Sequence, residues 1–486
     1  MKKRFSDESN IHYTYTSAND LINNIDVVRD MINHHLSYQV PRLKELEEYY
    51  KGNNVKILDG KRRKEDHVAD HRATHNFAKY VSQFIQGYMV GVPLKTQHTD
   101  EKVDEQLREI NRINDADEHN SDLVLDQSIY GRAYELLHRN KDDETRFTIL
   151  DVKETFVIYD TTVERNPIAG VRYVTDRFDQ YNTFVDIFTH DQELRYQTNI
   201  TSSGMTLIKE AYHGFGGVPI VEYENNKFRQ GDFEDVLTLI DLYDAAQSDL
   251  ANYSQDLNDA MLKIIGNLDM DIQEAKGMKE HNIIFLKTKP TADGKYNQAD
   301  ADYIYKQYDV QGMEAYKSRL FNDILLFTSI PNLLDEKFGG NKTGEALKMK
   351  LIGLKQKRAT KERLFKKSLR DRYRLINNIM MLAAEGGFNV NDITITFTEN
   401  LPSSIGQELE FFSKMGGELS HETLLSLLSF IENPQEEMER IKEENKRRKE
   451  RFSKDYDFMK GRIDKRKEES FKNYDFTEVK EDGEEG

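Results

Sequence analysis

The chain has 486 residues, 37% hydrophobic and 32% charged, with a net charge of −17 and no cysteine. That length exceeds one hydrophobic core and predicts two to four domains, while the absence of cysteine removes disulfides, thiolate zinc sites and cysteine nucleophiles together. No apolar run is long enough to span a membrane, and the basic start at Met1 has no apolar stretch behind it to make a signal peptide, so the reading is of a protein made and used in the cytosol.

Residues 1 to 19 are polar and aperiodic and read as a flexible arm. Helical spacing begins at Leu21, Ile25, Val28, Ile32 and Leu36, and resumes after Pro41 with Leu43, Leu46 and Tyr49. Asn76 to Pro93 predicts an apolar helix stopped by Gly91 and Pro93. Val103 to Ile113 and Leu123 to Tyr134 predict two more. From about Glu135 to Glu224 the period changes to short runs rich in β-branched and aromatic residues, which predicts an antiparallel sheet. Phe233 to Ile265 predicts one long helix of roughly 50 Å. Its apolar seam is narrow, as suits packing in a bundle or against copies of itself. Residues 266 to 310 predict a small insertion with short strands, after which a helix from Met313 runs back to Ile330, ended by Pro331.

The loop from Pro331 to Thr343 leads into a long helix from Gly344 to Glu385. From Lys342 to Arg374 this stretch carries 13 Lys/Arg against three acidic residues, a local charge of +10 within a chain of −17. Gly386 and Gly387 stop it, and Ile393 to Phe397 predicts a strand of the type that would join the earlier sheet. A helical tail follows, with Ser420 as a cap. The acidic end from Glu478 reads as disordered.

No catalytic pattern stands above the background of 86 acidic residues. Gly339 to Gly344 resembles a phosphate loop, but no glycine directly precedes Lys342 and no strand leads into it. His67, His71 and His75, four apart, would share one face of a helix and could bind metal, but a polar loop is the simpler reading. The basic helix, with Lys348, Lys350, Lys355, Lys357 and Arg358, has three readings: a solvated face, a contact with acidic surface on a neighbouring subunit, or a face toward nucleic acid. In the last, Lys337, Asn341, Lys342 and Thr343 in the loop before it would touch phosphates without sequence preference.

Several short motifs in a fixed order carry a family resemblance. They are Asn76 to Pro93, Ser128 to Tyr134, Val157 to Asp160, His213 to Asn226, Leu239 to Asp241, Ser248 to Asp249, Ile330 to Asp335 and Thr343 to Lys348. With these the chain resembles the portal (head–tail connector) proteins of long-tailed double-stranded DNA bacteriophages of Gram-positive hosts. The resemblance implies an α+β portal fold. Residues 20–232 would be a wing of helices and antiparallel sheet, 233–265 and 311–330 the stem helices, and 266–310 the clip. Residues 331–343 would be a tunnel loop, 344–400 the long helix with a return strand to the wing, 401–450 a crown, and 451–486 a charged tail.

The resemblance also implies a homo-oligomeric ring, typically of twelve, at one capsid vertex. Its partners would be the terminase, a head-completion adaptor, scaffold and major capsid protein, with double-stranded DNA passing non-specifically. It implies no catalytic residue, no cofactor and no membrane, and a place in the virion after assembly in the host cytoplasm. Two other readings remain open: a nucleotide-dependent DNA-processing enzyme using Lys342 and Thr343, and a coiled-coil scaffold with no DNA role.

Overall fold

The structure is a computed structural model that describes residues 3–59, 63, 70–176, 178, 182–199, 204–258, 261–265, 273, 288–290, 292–295, 300–304, 309–332, 351–398, 412–414, 420–426, 428, 431, 434 and 437–450. It divides into one unit over residues 1–399 and another over 400–486.

The first unit opens with strand β1 (Tyr13–Thr14), then helices α1 (Ala18–Asn23), α2 (Asp26–His34), α3 (Val40–Lys51) and α4 (Val55–Leu58). Helix α5 (Phe77–Val90) is capped by the Asn76 side chain, which accepts from the Lys79 N–H. Strand β2 (Lys95–Gln97) and helices α6 (Glu101–Ile113) and α7 (Ala116–Tyr130) follow.

Eight strands come next: β3 (Arg132–Arg139), β4 (Thr145–Leu150), β5 (Thr155–Tyr159), β6 (Pro167–Thr175), β7 (Asn182–Phe188), β8 (Gln192–Asn199), β9 (Met205–Tyr212) and β10 (Ile220–Glu224). They form two sheets. One runs β1-β5-β6-β7-β8-β9, antiparallel except for the β1–β5 pair, and the other runs β10-β3-β4. Val28 and Ile32 of α2 pack on Phe156, Val171, Val185 and Ile187 of the larger sheet. The smaller sheet shares its core with α5, α6 and α7.

Helix α8 (Leu237–Asn258) leads to strand β11 (Met261–Ile265), which pairs antiparallel with β12 (Asp300–Ile304). Helix α9 (Val310–Thr328) returns alongside α8. The 31-residue α10 (Ile352–Leu382) then crosses the smaller sheet through Phe365, Leu369, Tyr373 and Ile376. Strand β13 (Thr394–Thr396) ends the unit. In the second unit α11 (His421–Ser426) is capped by Ser420, whose hydroxyl accepts from the Thr423 N–H.

Four expectations are corrected. The segment before residue 20 is built into the fold: Arg4 binds Glu45 at 2.7 Å and Asp241 at 2.8 Å, and β1 pairs with β5. Its few polar groups find specific partners, which periodicity does not reveal. Helix α7 stops at Tyr130, because Gly131 adopts φ +83° and turns the chain into β3. The long helix from Phe233 ends at Asn258, and Met261–Ile265 is a strand: its apolar residues satisfy a ladder to β12 as well as a helical seam. Strand β13 pairs with β2, not with the strands between 132 and 224. His71 and His75 lie outside any helix or strand, in keeping with the polar-loop reading of that stretch.

Candidate functional site at the foot of the helical pair

The ends of α8, α9 and α10 converge on one buried polar node. Asp232, five residues before α8, is almost inaccessible. Lys361 of α10 donates to it at 2.6 Å and also bonds the Asn225 side chain. Lys357, one turn earlier, reaches Asp232 at 3.1 Å and the carbonyl of Thr328, the last residue of α9, at 3.1 Å. One lysine therefore ties the entrance of α8, the exit of α9 and the start of α10. Ser329 closes α9 in the left-handed region at φ +63°. Burial alone would raise the Asp232 pKa, but Lys361 and Lys357 outweigh it and hold the carboxyl well below the usual range. Burial pulls the Lys361 ammonium down, against the attraction of Asp232.

Farther along α10, Arg372 is fully buried and binds Glu135 of β3 at 2.8 Å. Its guanidinium lies over the Phe147 ring at 4.4 Å. Tyr223 donates to the same carboxylate at 2.6 Å, and His119 of α7 contacts it at 3.2 Å. Burial would raise the Glu135 pKa, yet Arg372 and His119 bring it down to about 2. Ser368 donates to the Glu222 carbonyl at 2.8 Å. These contacts make α10 a strut pinned at several points along the sheet domain.

A second buried network sits beside the node. Arg229 pairs with Glu222 at 2.7 Å and Arg42 with Glu234 at 2.6 Å. Arg132, fully buried, donates to Asn10 and Gln39. His12, Glu222 and Glu224 bring ligand atoms within 4.8 Å of one another, the one such group among the described residues. Arg229 already neutralises Glu222 there, and burial together with Arg229 pulls the His12 pKa to about 4. The positive charge a cation would bring is thus in place.

The predicted residues divide. Lys337, Asn341, Lys342, Thr343, Lys348 and Lys350 lie outside the described residues, as does His67. Lys357 is committed to the node, and Arg358 is buried against Glu362 at 2.7 Å and over the Tyr88 ring. Their charge is neutralised within the chain. Lys355 is half-buried at the start of α10. His75 pairs with Asp244 of α8 at 2.9 Å, and the His71 N–H donates to Asn252. Asp232, Asn225 and Glu135 were missed. A signal for their cationic partners existed: Arg358, Lys361 and Arg372 fall on the same helical face as Phe365, Leu369 and Ile376, and charges at apolar-face positions require buried partners.

An α+β unit with a helical pair closed at its tip by a two-stranded ladder, and a basic strut locked to its base, defines a structural building block. The family model "Phage portal protein, SPP1 Gp6-like" matches residues 29–451, so the chain belongs to that family of phage portal proteins. It is 24% identical over 421 residues to the portal protein of Bacillus phage SPP1, spanning 82% of this chain and 79% of the relative. It is also 24% identical over 414 residues to the portal protein of Clostridium phage phiCD119, spanning 80% of this chain and 88% of the relative. Among solved structures, a chain from the neck of a native GTA particle computed with C12 symmetry shares 12% identity with a TM-score of 0.38, covering 72% of this chain and 88% of that one. A phage portal protein is a structural component of the virion, and this chain is one.

Proposed function

We propose that the protein works as a ring of twelve copies at one capsid vertex and conducts double-stranded DNA during packaging and ejection. The observation that carries this reading, beside family membership, is the apolar surface along the helical pair. Leu242 on α8, Tyr316, Leu326 and Phe327 on α9, and Ile352 at the start of α10 are exposed, with Leu326 at 70% and Phe327 at 64%. Large apolar side chains left exposed together on one pair of helices suit an interaction face, and side-by-side copies in a closed ring would bury them. The acidic balance of −17 repels DNA and favours passage over adhesion.

In this reading, residues 331–343 narrow the channel, with Lys337, Asn341, Lys342 and Thr343 as weak phosphate contacts. Residues 266–310 offer the docking surface for terminase and then for the head-completion adaptor. Residues 401–450 face the capsid interior, and scaffold and major capsid protein hold the ring in the shell. ATP hydrolysis belongs to the separate terminase, and this chain performs no catalysis.

Negative-stain imaging of purified protein, with an ATPase assay on the same sample, tests the reading. The expected result is a ring with a central hole and no ATP turnover. Monomers with measurable turnover would sink it. Lys342→Ala is expected to leave the ring intact and to alter packaging alone, whereas Leu326→Asp with Phe327→Asp is expected to abolish the ring.

A further inference from the structure

Two rows of opposite charge stand unpaired on the first unit. On α10, Arg363, Lys367, Arg370 and Arg374 follow one another at four, three and four residues, so they line one face, and all four are exposed. Arg363, Lys367 and Arg370 make no ion pair among the described residues, and Arg374 touches only its own neighbour Asp371 at 2.7 Å. The opposite face of the same helix carries the buried anchors Lys361, Phe365 and Arg372, so the row cannot rotate inward. At α7, Asp115 in the N-cap position and Glu118, Asp122 and Asp126 on the helix follow at three, four and four residues. The first three are exposed and Asp126 is half-buried. None of the four has an ion-pair partner among the described residues. Burial, with Asp151 and Asp122 close by, outweighs the nearby Lys153 and pushes the Asp126 carboxyl up to about 7.

Each row runs over 12 residues, so its ends stand about 16 Å apart. Within one chain no ion pair among the described residues joins them. DNA would meet the basic row alone and be repelled by the acidic one, whereas a second copy satisfies both at once.

We propose that the α10 row of one copy docks on the α7 row of the next. Because the two surfaces differ, the contact is heterologous, the kind of head-to-tail contact from which closed rings are built. The rows set register and choice of partner, while apolar surface supplies the bulk of the affinity. This surface rests on the ring reading given above.

The test uses two full-length variants: Lys367→Glu with Arg370→Glu, which turns the centre of the α10 row acidic, and Glu118→Lys with Asp122→Lys, which turns the centre of the α7 row basic. Assembly is followed by sedimentation velocity at about 0.15 M salt, where charges separated by less than about 8 Å still interact. Circular dichroism confirms that each variant is folded. Each alone is expected to need at least about tenfold more protein for half assembly. Mixed one to one, they are expected to assemble as alternating rings, since the row centres at every junction then carry opposite charges. If reversal proves to disturb folding, Lys367→Gln with Arg370→Gln gives the same readout in smaller measure. Variants that assemble like the parent chain, or a mixture that stays unassembled, overturn the pairing, as does a loss confined to DNA retention. A parent chain that never assembles instead overturns the ring reading itself, so the two failures are told apart.

Discussion

Glu135 and Arg372 illustrate how charge is used inside this protein. Both are fully buried, so neither tolerates the loss of the other. Arg372→Met is expected to lower unfolding free energy by about 3–5 kcal/mol, because it strands a buried carboxylate. Adding Glu135→Gln should recover most of that, a coupling that a double-mutant cycle in urea would measure. The pH dependence has a defined sign. Glu135 titrates at about 2 in the folded chain against about 4.3 when unfolded. Its contribution is therefore complete above pH 4.3 and is lost as pH falls through 2, and Asp232 moves in the same direction. Urea midpoints are expected to drop across that window, less steeply in Glu135→Gln. Asp126 has the opposite sign, with its carboxyl raised to about 7. It costs stability as pH rises from about 4 to 7, so Asp126→Asn should raise the melting temperature at pH 8 and hardly change it at pH 4.

At the scale of elements, ends matter more than interiors. Gly131 stands where α7 must turn into β3, at φ +83°, and a Cβ there would lie 2.0 Å from the Arg229 carbonyl oxygen. Gly131→Ala is expected to cost at least about 1–2 kcal/mol from the backbone conformation alone, measured as a shift in chemical denaturation midpoint. Lys357 performs the corresponding task for three helix ends. Its ammonium replaces the hydrogen bonds that the Thr328 carbonyl loses at the end of α9. Lys357→Ala is expected to cost about 1–2 kcal/mol. Hydrogen exchange should rise in the last turn of α9 and the first of α10, while the larger sheet stays protected. An unchanged exchange pattern there would show that Lys357 does not tie these ends together.

For the whole molecule, the pattern of charge follows from what each surface has to meet. The +10 of the basic stretch looked in sequence like one feature, and the fold divides it. Lys357, Arg358, Lys361 and Arg372 point inward and lock α10 to the sheet domain, while Arg363, Lys367 and Arg370 point outward. The inward set holds the strut in place. The outward set is available to a neighbouring copy. The division shows how an acidic protein keeps a strongly basic helix: Arg358, Lys361 and Arg372 are buried against internal carboxylates and rings.

Much was legible before any coordinates. The 3.6-residue period located α2, α3, α5, α6, α9 and α10, and the change of period at about residue 135 located the sheets, because both signals are local and repeat over several turns or strands. The α+β portal fold and membership of the portal family followed from short motifs in a fixed order. What the tertiary structure alone decided was pairing. A short strand such as Thr394–Thr396 carries no mark of its partner, and β2 lies almost 300 residues away in sequence. Met261–Ile265 reads equally well as helix or strand until β12 is beside it. The same holds for charge. Composition counts lysines and arginines, but whether one is a strut bolt such as Lys361 or an outward contact such as Lys367 depends on which side of α10 the sheet lies, a long-range fact that no local period encodes.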